Sequence, residues 1–281
     1  MATMQAVVFK RPYEVAYEQV PRPTDPRDGE AIVRVKACGL CGSDLHPYRG
    51  AEKGLRPGTV CGHEFAGIVE QVGAGVRLEP GTRVAASFTT ACGSCWFCNH
   101  SLSSRCEEAK LFGWINAKTG DGIHGAQAQF VRVPNADGTL VVLPPEVSFE
   151  DGVLLGDIFA TGYFCANNAL SALTDSGVPK DALTAVVVGC GPVGLCAIAG
   201  AQALGFGRIY AIDRVKSRLQ KAQDLGATPI HPDQDPLSII HEATLSTNGG
   251  YGADAVLEVV GAYGALETSF KLVRPGGVVS S

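Results

Sequence analysis

TAVVVGCGPVGLCAIAGAQALG, residues 184–205, runs from an apolar strand through a glycine-rich turn into an apolar helix. Gly189, Gly191 and Gly194 carry the GxGxxG spacing, with Cys190, Pro192 and Val193 between them. In that pattern the first glycine makes a tight turn and the second lets a pyrophosphate approach the backbone. The third lets the helix pack closely on the strand. The helix N-terminus then offers unpaired N–H groups and a partial positive charge to phosphates. The next strand, RIYAID, ends in Asp213, nineteen residues beyond Gly194, where a carboxylate meets the ribose hydroxyls of a dinucleotide. That carboxylate also repels the extra phosphate of NADP, so NAD is the expected cofactor; Arg214 directly after it softens the repulsion. A glycine turn with no dinucleotide is the competing reading, and strand, turn, helix and acid in this order weigh against it.

Outward from this stretch the texture stays the same toward the C-terminus. TPIHP, ADAVLEVVG and GGVVSS are further strand candidates, with helical segments such as KSRLQKAQDLG between them. Such alternation builds parallel βαβ units. Toward the N-terminus it changes. AIVRVKACG, FAGIVEQVG, TRVAAS, AQFVRVP and TLVVLPP cluster β-formers between Gly, Pro and Asp, the pattern of a barrel-like or sandwich domain. A helical texture from Glu150 to Leu173 joins the two regions and puts the boundary near residue 165. At roughly 100–200 residues per domain, a 281-residue chain holds two.

Composition narrows the function classes. With 23 Lys+Arg against 28 Asp+Glu the net charge is -5, and no basic run suggests a phosphate-binding surface, so nucleic acid is not an expected partner. The apolar stretch Ala185–Ala201 falls short of the ~20 residues a membrane span needs, and glycines and Pro192 interrupt it. The opening MATMQAVVFK has no basic region followed by an apolar one, so the expected location is the cytoplasm. Ten cysteines in that compartment point to metal more than to disulfides. Cys92, Cys95, Cys98 and Cys106 have the spacing of a tetrahedral thiolate shell for Zn²⁺, which leaves no open position and is therefore structural. A zinc ribbon that binds nucleic acid would surround this knot with basic residues. Here Arg105 and Lys110 face Glu107 and Glu108.

A second group, GLCGSDLH at 39–46 and GHE at 62–64, offers Cys and His donors of a catalytic metal site. On these residues alone, Cys38 and Cys41 equally form a redox pair and His63 a core histidine. GLCGSDLH, GHEFAGIVEQVG, the four-cysteine loop, and GCGPVG followed by Asp213 occur in this order. The chain thereby resembles the zinc-dependent medium-chain alcohol and polyol dehydrogenases over essentially its whole length.

The resemblance implies a GroES-like β-barrel catalytic domain over 1–160. A doubly wound Rossmann domain over 161–281 then follows, shortened at its C-terminus relative to the family. It implies two zinc ions. Cys41, His63 and Asp157 would hold the catalytic one, with Asp157 standing where other members keep a cysteine. One thiolate, one carboxylate and a neutral imidazole still neutralise Zn²⁺ while making the shell harder. A carboxylate here resembles the glutathione-independent formaldehyde dehydrogenase branch. Asp44 matches the carboxylate that orients the zinc histidine, Ser43 the hydroxyl that takes the substrate proton, and His46 the end of the relay to solvent. Glu64 matches the carboxylate beside the zinc, Thr161 the residue against the nicotinamide, and Phe88 an aromatic of the substrate pocket. Gly42 stands where some members carry a basic residue on the pyrophosphate.

The expected reaction is hydride transfer between a small alcohol, polyol or aldehyde and NAD, in a full-length homodimer or homotetramer. A zinc-free quinone or enone reductase, or a shortened and catalytically weak or silent scaffold, are the rival readings.

Overall fold

Register at one end of a ladder does most to shape the first half of the chain. In a computed structural model, which describes residues 2–174 and 177–281, the chain divides into two compact units, Met1–Asp157 and Ile158–Ser281. The first unit opens with an antiparallel hairpin of β1 (Thr3–Arg11) and β2 (Glu14–Pro21), absent from the strands expected of the sequence. No residue of β2 is buried and charges interleave its apolar positions, so it has no hydrophobic face to read. Its turn contains Tyr13 at φ 63 in place of the usual Gly or Asn.

The main sheet of this unit comprises β3 (Ala31–Cys38), β4 (Phe65–Val72), β5 (Arg83–Ala86), β8 (Phe130–Val133) and β9 (Leu140–Val142). Between β5 and β8 lies a short pair, β6 (Trp114–Ile115) and β7 (Gly122–Ile123). The order β8-β3-β4-β5-β9 is antiparallel at every step. Val33, Val69, Val84 and Val131 are buried between the strands, with Phe65 edge-on to Phe112 at 5.2 Å. Cys38 pairs with Phe65, so the segment leaving β3 and the segment entering β4 begin side by side. Three single-turn helices, α1 (Leu45–Tyr48), α2 (Trp96–Asn99) and α3 (Ala136–Thr139), sit in the loops.

The helical texture around residue 157 is two helices and not one. α4 (Phe149–Gly156) starts at Ser148, whose hydroxyl accepts the Asp151 N–H at 3.0 Å as an N-cap does. It stops at Asp157, where φ is -144 and ψ is -78. A side chain at Gly156 would come within 2.1 Å of the Ala86 carbonyl, so the helix end is pressed against the end of β5. α5 (Ile158–Ala172) opens the second unit.

That second unit is a parallel sheet in the order β12-β11-β10-β13-β14, the βαβ build that alternation predicted in the doubly wound order that the resemblance implied. β10 (Thr184–Val188), β11 (Arg208–Ile212), β12 (Thr228–Ile230), β13 (Ala253–Glu258) and β14 (Val273–Ser280) alternate with helices. These are α6 (Pro192–Leu204), α7 (Lys216–Asp224), α8 (Pro236–Asn248) and α9 (Tyr263–Leu272). β10 and β13 are buried at every position, as central strands covered on both faces must be.

At the start of β10 a buried ion pair replaces apolar packing. Asp254 Oδ2 accepts the Thr184 N–H at 2.8 Å and Oδ1 accepts Arg274 Nε at 2.7 Å. Removing one member strands the other in a site where the side chains are 5% and 16% exposed. Asp254→Ala is therefore expected to cost about 3–5 kcal/mol, read as a lowered urea midpoint. Asp254→Asn, which keeps an acceptor for Thr184, should cost less.

Candidate functional site

The adjacency of the β3 exit and the β4 entry brings two short motifs together. Past β3 the chain turns through Gly39–Asp44, and the Cys41 N–H donates to Asp44 Oδ2 at 3.0 Å. Asp44 Oδ1 then lies 3.3 Å from Nδ1 of the buried His63. On the other side of the same ring, Asp157 Oδ2 and Ser43 Oγ each stand 3.3 Å from Nε2. The break between α4 and α5 is what delivers the Asp157 carboxylate, since its backbone has left the helix there. Ligand atoms of Cys41, His63 and Asp157 all fall within 4.8 Å of one another.

The charges explain the ring's state. Desolvation opposes a charged imidazole, but hydrogen bonds to Asp157, Asp44 and Cys41 outweigh it, and the pKa is pushed up to about 12. A proton therefore occupies the place that a cation would take between these donors. Glu64 is buried beside them. Desolvation, then the Asp157 charge, raises its pKa against the opposing pull of His63. Glu64 Oε1 has no hydrogen-bond partner among the described residues. A side chain at Gly39 would meet Glu64 Oε2 at 2.2 Å, so only glycine lets the carboxyl lie where it does. Thiolate, imidazole and carboxylate around one point, with an unsatisfied buried carboxyl at its side, fit Zn²⁺ with room for a further ligand.

The four-cysteine loop closes on itself within the first unit. Sγ atoms of Cys92, Cys95, Cys98 and Cys106 lie within 4.8 Å of one another. Backbone N–H groups of Ser94 and Cys95 point at Cys92 Sγ at 3.5 and 3.2 Å, and those of Cys92 and Glu108 at Cys106 Sγ at 3.2 and 3.4 Å. The N–H bonds of Ser94 and then Cys95 lower the Cys92 pKa to about 6, and that of Cys98 lowers Cys95. Desolvation raises Cys98 to about 12. Amides arranged this way favour thiolates, the form that binds metal.

In the second unit the glycine turn has three separable geometries. Gly189 has φ +98, in the left-handed region, and a side chain at Gly194 would come within 1.9 Å of the Gly189 carbonyl. A side chain at Gly191 would meet nothing within 4 Å, so the turn presents bare backbone there. α6 begins at this glycine with no side chain capping its first N–H groups. Asp213, at the end of β11, is tied down on both oxygens. Oδ2 accepts the Cys190 N–H at 2.8 Å and Oδ1 the Val215 N–H at 2.7 Å. Arg214 is exposed, and it is Arg218 whose Nη1 stands 3.8 Å from Asp213 Oδ2. Arg218 lies outside the glycine motif and the acidic strand end that mark this site in the sequence. A basic residue in the opening turn of the helix after the acidic strand end was the available signal.

The remaining candidates occupy separate places. His46 lies exposed in α1, its imidazole without a hydrogen bond among the described residues. Phe88 is half-buried after β5, its carbonyl accepting the Phe112 N–H at 3.2 Å. Thr161 is exposed in the first turn of α5.

Comparison with known proteins places the chain in one family. Residues 27–145 match the alcohol dehydrogenase GroES-like domain and residues 192–281 the zinc-binding dehydrogenase family. The chain is 46% identical over 279 residues to zinc-type alcohol dehydrogenase B of Aspergillus flavus, covering 99% of itself and 63% of that protein. It is 45% identical to a medium chain reductase/dehydrogenase of Acremonium sp, covering 99% of itself and 92% of that protein. Among solved structures, alcohol dehydrogenase TADH from Thermus sp. ATN1 matches with a TM-score of 0.87 at 40% identity, over 99% of this chain and 76% of that one. With both family models matched and relatives at 45–46% identity over 99% of its length, the chain belongs to the zinc-type medium-chain dehydrogenase family.

Proposed function

We propose that the chain is an oxidoreductase that moves a hydride between a small alcohol or polyol and the matching carbonyl compound, using two zinc ions and NAD. The observation that carries this reading is the convergence of Cys41, Asp157 and Ser43 on one face of a histidine whose other nitrogen is held by Asp44. When bound, zinc supplies Lewis acidity that eases deprotonation of an alcohol near neutral pH, and NAD supplies the hydride acceptor.

The chain's own groups do the rest. Asp44 fixes the proton of neutral His63 on Nδ1 and so turns the Nε2 lone pair toward Cys41 and Asp157. Ser43 Oγ takes the substrate's hydroxyl proton, and exposed His46 returns it to solvent. Glu64, with one unsatisfied oxygen, sits ready to approach or leave the metal site. Thr161 bears on the nicotinamide and Phe88 on the substrate. Gly189, Gly191 and Gly194, with Pro192 and Val193 opening α6, receive the pyrophosphate. Asp213 binds the ribose hydroxyls, with Arg214 outside it. The four cysteines form a closed structural site. Asp157 as a ligand resembles the glutathione-independent formaldehyde dehydrogenase branch, which puts formaldehyde among the candidate substrates. No helix among the described residues is long and apolar enough to cross a membrane, and the working form is a cytoplasmic homodimer or homotetramer.

Three outcomes test this reading. Asp157→Ala should lower zinc content from two ions per chain to one, measured by elemental analysis, and abolish alcohol oxidation; retention of both ions would remove Asp157 from the ligand set. In the metal-free protein His63 has a pKa far above its ordinary ~6.5, so zinc must displace its proton throughout the neutral range. Apparent zinc affinity should then rise about tenfold per pH unit between pH 6 and 8 from this group alone, and a flat profile in competition titrations would contradict it. Asp213→Ser should narrow the preference for NAD over NADP by about tenfold or more, through loss of carboxylate–phosphate repulsion, as read from the two dissociation constants.

A further inference from the structure

A cavity of about 650 Å³ in the first unit lies apart from all the residues assigned above. It is bounded by the end of β2, the Arg56–Val60 loop, β7 with the residues after it, and β8. Its size is that of a small-molecule site. Ile123 and Phe130 give it apolar walls, Arg22, Arg56 and Arg132 line it, and no Asp or Glu is among the described lining residues.

The three guanidinium groups differ in what they already hold. Arg132 pairs with Glu30 and donates to the Thr24 and Asp25 carbonyls. Arg22 lies 3.7 Å over the Phe130 ring and donates from Nη2 to Glu70 at 2.9 Å. Its Nε, however, is buried with no hydrogen-bond partner among the described residues, a donor that costs free energy until something accepts from it. Arg56 has no side-chain hydrogen bond or ion pair among the described residues. His124 adds a neutral donor. Its Nδ1 accepts the Val60 N–H at 3.1 Å, which leaves the ring proton on Nε2. Glu30 offsets Arg132, and Glu70 is shared by Arg22 and Arg34 at 2.9 and 3.2 Å, so Arg56 is the one lining guanidinium with no carboxylate partner among the described residues. A single guanidinium with no carboxylate partner, one neutral donor and apolar walls match a carboxylate head on a hydrocarbon body better than a phosphate dianion.

We propose that this cavity binds an amphipathic carboxylate, a short- to medium-chain organic acid whose head meets Arg56 and His124 and whose tail lies against Ile123 and Phe130. The site is independent of the metal and cofactor sites and does not rest on the activity proposed above.

Calorimetric titration of the zinc-loaded full chain with sodium octanoate, at low ionic strength, tests it. One octanoate per chain is expected, weakened at least about tenfold in Arg56→Gln, as loss of a charge-assisted hydrogen bond requires, and weakened also in His124→Phe. Octanol, with the same tail and no charge, should bind at least about tenfold less tightly than octanoate. Asp157→Ala, which disables the metal site, should leave octanoate binding unchanged. Octanoate affinity that survives both cavity variants, disappears with Asp157→Ala, or is equalled by octanol would overturn the proposal. Arg56 is exposed, so its replacement is not expected to disturb folding, and an unchanged melting temperature verifies this.

Discussion

One imidazole gripped from both edges sets the terms for the first unit. Asp44 holds Nδ1 of His63, and Asp157 and Ser43 face Nε2. Each partner arrives by a different device. The Cys38–Phe65 register brings the β3 exit to the β4 entry, and a helix that ends against β5 releases Asp157 from helical geometry. Shift the ladder by one residue and every side chain changes face. Extend α4 by one turn and the carboxylate points elsewhere. The site is therefore a property of strand register and helix length before it is a property of its side chains.

The three sites contain negative charge in different ways. Around His63 the carboxyl groups of Asp44, Asp157 and Glu64 crowd a buried ring, and the cluster is held together only while something positive sits inside it. The four-cysteine loop spreads its thiolate charge onto backbone N–H groups. Asp213 is neutralised locally by two amides and by Arg218 at longer range. The first arrangement is responsive to its occupant, while the other two are built rigid.

Much of this was legible in the sequence where one local rule governs one local outcome. Gly189 needs positive φ and Gly194 needs contact with a carbonyl, so GCGPVG declares the turn without help from the rest of the fold. The cysteine spacing declares its loop similarly. What escaped depends on distant partners. The β1–β2 hairpin carries charges on both faces and turns at Tyr13, so neither periodicity nor turn chemistry marks it. The break at Asp157 follows from the Ala86 carbonyl lying against Gly156, which nothing near residue 157 reveals. Gly39 reads as an ordinary loop glycine until Glu64 is seen beside it. Arg56 and His124 come together only because the Arg56–Val60 loop meets the segment after β7 through the Val60–His124 hydrogen bond.

The spacing of Cys41, His63 and Asp157 along the chain has a mechanical side. They span most of the first unit, from the turn just after β3 to its last residue. Whatever grips all three closes a very long loop, and a cross-link of that reach removes more freedom from an unfolded chain than a short one does. It also adds its binding free energy to the folded form alone. An occupant of this site is thus a clasp on the whole unit. Its residence time and the lifetime of the folded unit become linked quantities, so that a protein emptied at the clasp ages faster than one that is filled.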